Sequence, residues 1–285
     1  MKKIKVFILF ITVFLLTGCK EYGEKRIVTL MTADSENVAV YYYDFSSDEP
    51  SYLKEERENN GIENALIDIL SKADYNLKLC KYAVVSKDIV ESRINEVFFA
   101  VTDARFATDI AVIEGDTEKP AEFYTKIEKS NYPLYTYKVR DNNITGIVEK
   151  ADENEKHIIY NNSLYKTIDP KQSFVIDMLT ESIDRGIYVF ENNTQQLAAY
   201  MENISSFYSE KDDNLHINIS AVLKSYKGMP AGDKERQQFV ELLKKSIKKE
   251  TENILEDDII VQSCDLLWYS KVEKFENVTV NIKII

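Results

Sequence analysis

Two β-rich runs, Arg26 to Thr32 and Asn37 to Asp44, flank Ala33-Asp34-Ser35-Glu36, a polar break of hairpin length. The charged stretch from Ser46 to Asn60 holds no sustained period and reads as a loop. From Gly61 the apolar positions fall three and four apart. Ile62, Ala65, Leu66, Ile69, Leu70 and Ala73 line one face of a helix. Leu77 to Val85 follows as a strand. Ser86 is a candidate N-cap for a second helix, in which Val90, Ile94, Val97, Phe98 and Val101 repeat the spacing. Asp109 to Ile113 reads as a buried strand, and Pro120 opens a short helix that turns Phe123 and Tyr124 inward.

From Tyr132 to Ile168 the pattern predicts strands separated by Asp141-Asn142-Asn143 and by Asn161-Asn162, and Phe174 to Ile183 reads as a helix. Gly186 marks the expected boundary between an N-terminal α/β domain, residues 26–185, and a C-terminal α+β domain, residues 186–285. Beyond it come a strand from Ile187 to Glu191, a turn at Asn192-Asn193, and a stretch from Leu197 to Phe207 read as a strand running into a helix. Leu215, Ile217, Ile219, Ala221 and Leu223 alternate on one face of a half-buried strand. After the breaker Gly228-Met229-Pro230-Ala231-Gly232, a helix is predicted from Lys234 to Leu255 with Phe239, Leu243, Ile247 and Ile254 buried. Val278, Val280, Ile282 and Ile284 alternate again, which predicts a closing strand paired inside a sheet. The fold class expected is α+β: two mixed α/β domains, each with a largely antiparallel or mixed sheet packed by amphipathic helices.

The first eighteen residues, MKKIKVFILFITVFLLTG, place three lysines ahead of an uncharged apolar run too short to span a bilayer as a permanent helix. They read as a secretory signal. Leu16-Thr17-Gly18-Cys19 resembles the bacterial lipobox, in which the cysteine sulfur takes a diacylglyceryl group and the signal is cut before it. Cys19 is therefore the expected lipidation site, and membrane lipid the expected partner through diacylglyceryl-Cys19. Two or more acyl chains satisfy the requirement for stable anchoring. Residues 19–25 form the anchor and tether. The six residues from Lys20 to Lys25 reach at most about 20 Å when extended, so the folded part is expected close to the membrane.

Charge narrows the choice of partner. The formal net charge is -12, and removing residues 1–18 takes away three lysines and no acid, leaving 33 basic against 48 acidic residues, or -15. Such a balance argues against nucleic acid. It suits a domain that projects from an anionic surface to meet a protein or small molecule. Cys80 and Cys264 are too few for a disulfide framework and read as core residues, although an extracytoplasmic location permits a bond between them. No glycine-rich loop joins a strand to a helix, so no nucleotide or other cofactor is expected. His157 and His216 have no cysteine or carboxylate at metal-ligand spacing and are expected at the surface. Asp212-Asp213 and Asp257-Asp258 read as solvated charge. No catalytic or metal-binding residue is assigned. Trp268 reads as a core anchor. Tyr41, Tyr42 and Tyr43 alternate faces of one strand, so at least one ring meets solvent or a partner. They are a candidate partner surface, set against partial packing on neighbouring loops.

Four stretches carry a resemblance to a known family: the lipobox at Cys19; ENALIDILSKADYNLKLCKYAVVSKDIVESRINEVF from Glu63; GIYVFENNTQQLAAYMENISSFY from Gly186; and the helix Lys234 to Leu255 with Asp257 to Asp265 and the closing strand. In that order they resemble the spore germination lipoprotein family, the C subunits of nutrient germinant receptors. Lys20 and Glu21 follow the cysteine where the family usually has Trp and Asp, and Cys264-Asp265-Leu266-Leu267-Trp268 lacks the family's glycine. The resemblance implies a non-catalytic, lipid-anchored protein on the outer face of the spore inner or cytoplasmic membrane, partnered by integral-membrane receptor subunits. The alternative is a solute-binding lipoprotein of a transporter, for which two doubly wound lobes with repeated βα units are expected.

Overall fold

The structure, a computed structural model, describes residues 26–44, 51–102, 106, 110–118, 138–140, 143–150, 154–192, 195–211, 214–264, 266 and 277–285. The chain forms two compact units, Met1–Thr125 and Lys126–Ile285. Mixed sheets and amphipathic helices make up both, so the α+β class holds.

In the first unit, β1 (Arg26–Ala33) and β2 (Asn37–Asp44) form the hairpin expected from their alternation. Asp34 closes it, its carboxylate accepting from the Glu36 and Asn37 N–H groups at 2.9 and 2.7 Å. The segment read as a loop contains a strand, β3 (Ser51–Glu58), paired antiparallel with β2. An edge strand needs only backbone partners, so Tyr-Leu-Lys-Glu-Glu-Arg-Glu can occupy it without an apolar face. Helix α1 (Ile62–Leu70) buries Ile62, Ala65, Leu66 and Ile69 and packs on β2 and β3. Of the strand expected from Leu77 to Val85 only β5 (Tyr82–Val85) forms, and a short β4 (Tyr75–Asn76) precedes it; both run parallel to β1.

The second helix is two, α2 (Lys87–Ser92) and α3 (Ile94–Val101), broken at Arg93. The Arg93 guanidinium donates to Glu96 at 2.8 and 2.7 Å and to Asn59 at 3.0 Å. Glu96 in turn accepts from the Ile62 N–H at 3.2 Å, satisfying a donor at the α1 terminus, where Gly61 offers no side chain. Ser86 takes the N-cap position, but its hydroxyl makes no capping bond. Strand β6 (Ala111–Glu114) runs parallel to β5, giving the order β6-β5-β1-β2-β3. The expected helix at Pro120 lies outside the described residues.

The second unit begins with β7 (Lys138–Arg140), β8 (Asn143–Lys150), β9 (Glu155–Tyr160) and β10 (Ser163–Ile168), antiparallel neighbours in turn. Asn161 and Asn162 join β9 to β10 with φ of 49° and 71°, the left-handed pair that a two-residue hairpin turn requires. Helix α4 (Pro170–Leu179) follows, capped by Asp169, whose carboxylate accepts from the Lys171 and Gln172 N–H groups at 2.8 and 3.0 Å.

A four-stranded sheet completes the unit: β11 (Arg185–Asn192), β12 (Gln195–Lys211), β13 (Asn214–Lys227) and β14 (Asn277–Ile284). The long helix α5 (Asp233–Leu255) buries Phe239, Leu243, Ile247 and Ile254, as its period predicts, in one core with Leu215, Ile217 and Ile219 of β13. Phe239 meets Phe190 and Tyr226 with ring centroids 5.6 and 4.6 Å apart. Short α6 (Asp258–Ser263) is capped by Asp257. The closing strand is paired as expected, but parallel to β13 and at the end of the strand order.

Two expectations change here. The boundary expected at Gly186 falls inside the second unit, where α4 and β11 share one core. That glycine permits close packing: a Cβ on it would lie 2.7 Å from Phe174 Cε2. The helix expected after Leu197 is instead the continuation of β12. Leu197, Ala199 and Met201 point inward, the register shifts, and Ile204 and Ser206 then point inward. Asn203, at φ 52°, sits in this bulge. One extra residue converts a spacing of two into three, and Leu197, Met201, Ile204 and Tyr208 then mimic a helical face.

Candidate partner surface

Strand β2 lies between β1 and β3, which divides its three tyrosines between two faces. Tyr41 and Tyr42 are 7% and 4% exposed, while Tyr43 is 42% exposed. Tyr42 is enclosed by the Arg26 guanidinium, 5.1 Å from its ring centroid, and by Tyr75, edge-on at 5.1 Å. Arg26 also donates to the Tyr75 hydroxyl at 3.0 Å and pairs with Asp44 at 3.4 Å. Tyr41 stacks on Tyr52 at 6.1 Å, and the Lys54 ammonium lies 5.9 Å from the Tyr41 centroid. Burial raises the Tyr41 and Tyr42 pKa above the ordinary phenol value, so both stay neutral and packed.

The exposed part is an edge formed with β3. Tyr52 stands opposite Tyr43, their centroids 4.9 Å apart, and its hydroxyl is 3.2 Å from the Thr29 hydroxyl. Thr29 occupies a bulge between Val28 and Leu30 that turns its side chain toward the ring. Tyr52 and Leu53 are 36% and 40% exposed, on opposite faces of β3. This edge therefore presents Tyr43, Tyr52 and Leu53 beside the mixed charges of Lys54, Glu55, Glu56 and Arg57. Amphipathic rings on a rigid strand, rimmed by charge, have the composition of a protein contact. Sequence reading finds Tyr43 but misses Tyr52 and Leu53, because the strand that holds them has no apolar period.

Buried charge gathers elsewhere, in the second unit. Lys156 of β9 is 2% exposed and Glu149, opposite it on β8, is 3% exposed. The ammonium lies 2.5 Å from Glu149 and 3.2 Å from Asp177 of α4. Burial alone would lower its pKa, but the two carboxylates outweigh that and hold it above the ordinary value. Saturated by its own carboxylates, the lysine pins α4 to the β8–β9 face. His157, expected at the surface, is buried, its Nδ1 2.8 Å from the Thr167 hydroxyl. Its strand is covered on both faces, which a polar sequence neighbourhood conceals. His216 is half-buried.

Cys80 and Cys264 are free, buried thiols, as their core reading expects. Burial pushes Cys80 up to about 12 and Cys264 higher still. Asp257 is used structurally, accepting from the Ile260 N–H at 3.2 Å and from the Tyr165 hydroxyl at 3.4 Å. Among the described residues, no group of three or more His, Cys, Asp or Glu is placed to hold a metal ion. Likewise, no helix among them is long and apolar enough to cross a membrane. Cys19, Asp212, Asp213, Asp265 and Trp268 lie outside the described residues.

No protein-family model and no curated protein matches this sequence. Among solved structures, the chain is similar to the crystal structure of the GerBC protein at 9% identity and a TM-score of 0.44, covering 87% of this chain and 94% of that one. It is also similar to the type II variant of the Aquifex aeolicus Ppx/GppA phosphatase at 13% identity, with a TM-score of 0.15 and coverage of 79% and 63%.

Proposed function

We propose that this chain is a lipid-anchored, non-catalytic subunit of a germinant receptor-like membrane complex, and that it docks integral-membrane subunits through the Tyr43–Tyr52–Leu53 edge. The observation that carries this reading is the lipobox at Cys19 ahead of an ordered succession of elements. Helix α1, strand β5 ending at Ser86, and helices α2 and α3 occupy the stretch from Glu63 whose resemblance implies helix, strand, serine and helix. Helices α5 and α6 and strand β14 occupy the last stretch. The stretch from Gly186 departs, since β12 continues where a helix is expected. The transporter alternative is less well supported. In the second unit the described strands pair antiparallel except β14, unlike the repeated βα units of a doubly wound lobe.

Deletion of the gene in a spore-forming host tests the reading. Growth and sporulation should be unchanged, while the response of spores to a nutrient slows in a strain from which parallel receptors have been removed. An unchanged response in that strain, or protein found only in growing cells beside a transporter permease, contradicts it.

A further inference from the structure

The second unit contains a cleft of about 210 Å³ where the N-terminal end of α4, the C-terminal end of β11 and the middle of α5 meet. Lys171, Lys245 and Lys249 line it. On α5 the neighbouring lysines are paired, Lys244 with Glu241 at 2.9 Å and Lys248 with Glu252 at 3.7 Å. Among the described residues, Lys171, Lys245 and Lys249 take part in no ion pair. Lys245 and Lys249 stand one helical turn apart, a like-charge spacing that an anion between them would relieve. The chain has 48 acidic residues against 36 basic ones, so three unpaired ammoniums on one cleft depart from its general character.

The remaining lining makes this more than a charged surface. Ser246 sits between Lys245 and Lys249, its hydroxyl 3.0 Å from that of buried Tyr188, and Asn192 adds an amide. Phe190 supplies an apolar wall. Glu191 and Glu250 also line the cleft, and Glu250 accepts from Asn253 at 3.1 Å. With three lysines and two glutamates the lining carries one net positive charge. That balance suits a single mono- or dianionic group and rejects a polyanion. The volume is below that of clefts that enclose drug-sized ligands. We propose that this cleft binds a phosphate group, whose several acceptor oxygens match three ammoniums, a hydroxyl and an amide. A free phosphate ion and a lipid phosphate headgroup share this chemistry of recognition.

Titration calorimetry on the full chain in detergent tests the site, using inorganic phosphate and soluble dihexanoylphosphatidylglycerol as probes at constant ionic strength. Saturable one-to-one binding of at least one probe is expected, and the tighter probe names the source. K245Q/K249Q should weaken binding at least tenfold. K244Q/K248Q makes the same change of charge on the same helix, at lysines already paired, and should weaken it less than twofold. No saturable binding of either probe overturns the proposal, and so does an equal loss in both variants. The docking edge of the first unit is untouched by these substitutions, so failure here leaves the subunit reading standing.

Discussion

Lys156 places one ammonium between two carboxylates almost out of water, an arrangement in which removing a partner is far more damaging than the pair is stabilising. Lys156→Met should lower the unfolding free energy of the second unit by about 3–5 kcal/mol, because Glu149 and Asp177 would face each other without it. Adding Glu149→Met and Asp177→Asn should recover most of that loss. Urea unfolding monitored in the second unit checks both values, and a Lys156→Met variant as stable as the parent would contradict the pinning of α4. Cys80 makes a companion prediction in the first unit. A thiol raised to about 12 by burial holds almost no thiolate at pH 8, so disulfide-exchange reagents should modify it only when the unit opens. Its folded pKa lies above the unfolded value of about 8.5. This contribution is thus fully present below pH 8.5 and lost as pH rises through 12. Labelling of Cys80 as fast as in urea would refute its burial.

At the scale of elements, the bulge in β12 decides which way half of a long strand faces. Asn203 holds φ 52°, a region that asparagine and glycine tolerate and β-branched residues do not. Asn203→Val should destabilise the second unit by about 1–2 kcal/mol, whereas Asn203→Gly should be nearly neutral. Thermal unfolding of the two variants checks this, and equal melting temperatures would remove the strain argument. The same bulge explains what sequence could and could not supply. Strand β13 and helix α5 each keep one period throughout, so their buried apolar positions are legible in the sequence, while the buried Glu250 and Thr251 of α5 are not. In β12 the period changes phase mid-strand and imitates a helix. Strand β3 is held by backbone pairing at an edge, which leaves no apolar mark, and with it went Tyr52 and Leu53 of the proposed docking edge. Gly186 read as punctuation because sequence cannot distinguish a flexible glycine from one that makes room for Phe174.

For the whole molecule, the proposed account joins an acidic body, a tether of at most about 20 Å and an aromatic edge on the first unit. Held that close to a bilayer, the edge has a high effective concentration toward membrane partners, so even a small contact can be occupied. A small contact also depends on few residues. Tyr43 and Tyr52 are its exposed rings, and Tyr52 also stacks on Tyr41, so the melting temperature of the variant is the control for its folding. The most direct measurement is therefore affinity capture from spore membranes with the parent chain and with Tyr43→Ala/Tyr52→Ala, each lipidated at Cys19. The account predicts that the parent recovers multi-pass membrane proteins and that the variant, still folded and still in the membrane fraction, recovers at least tenfold less. Equal recovery by both, or recovery of no multi-pass protein by the parent, would contradict it.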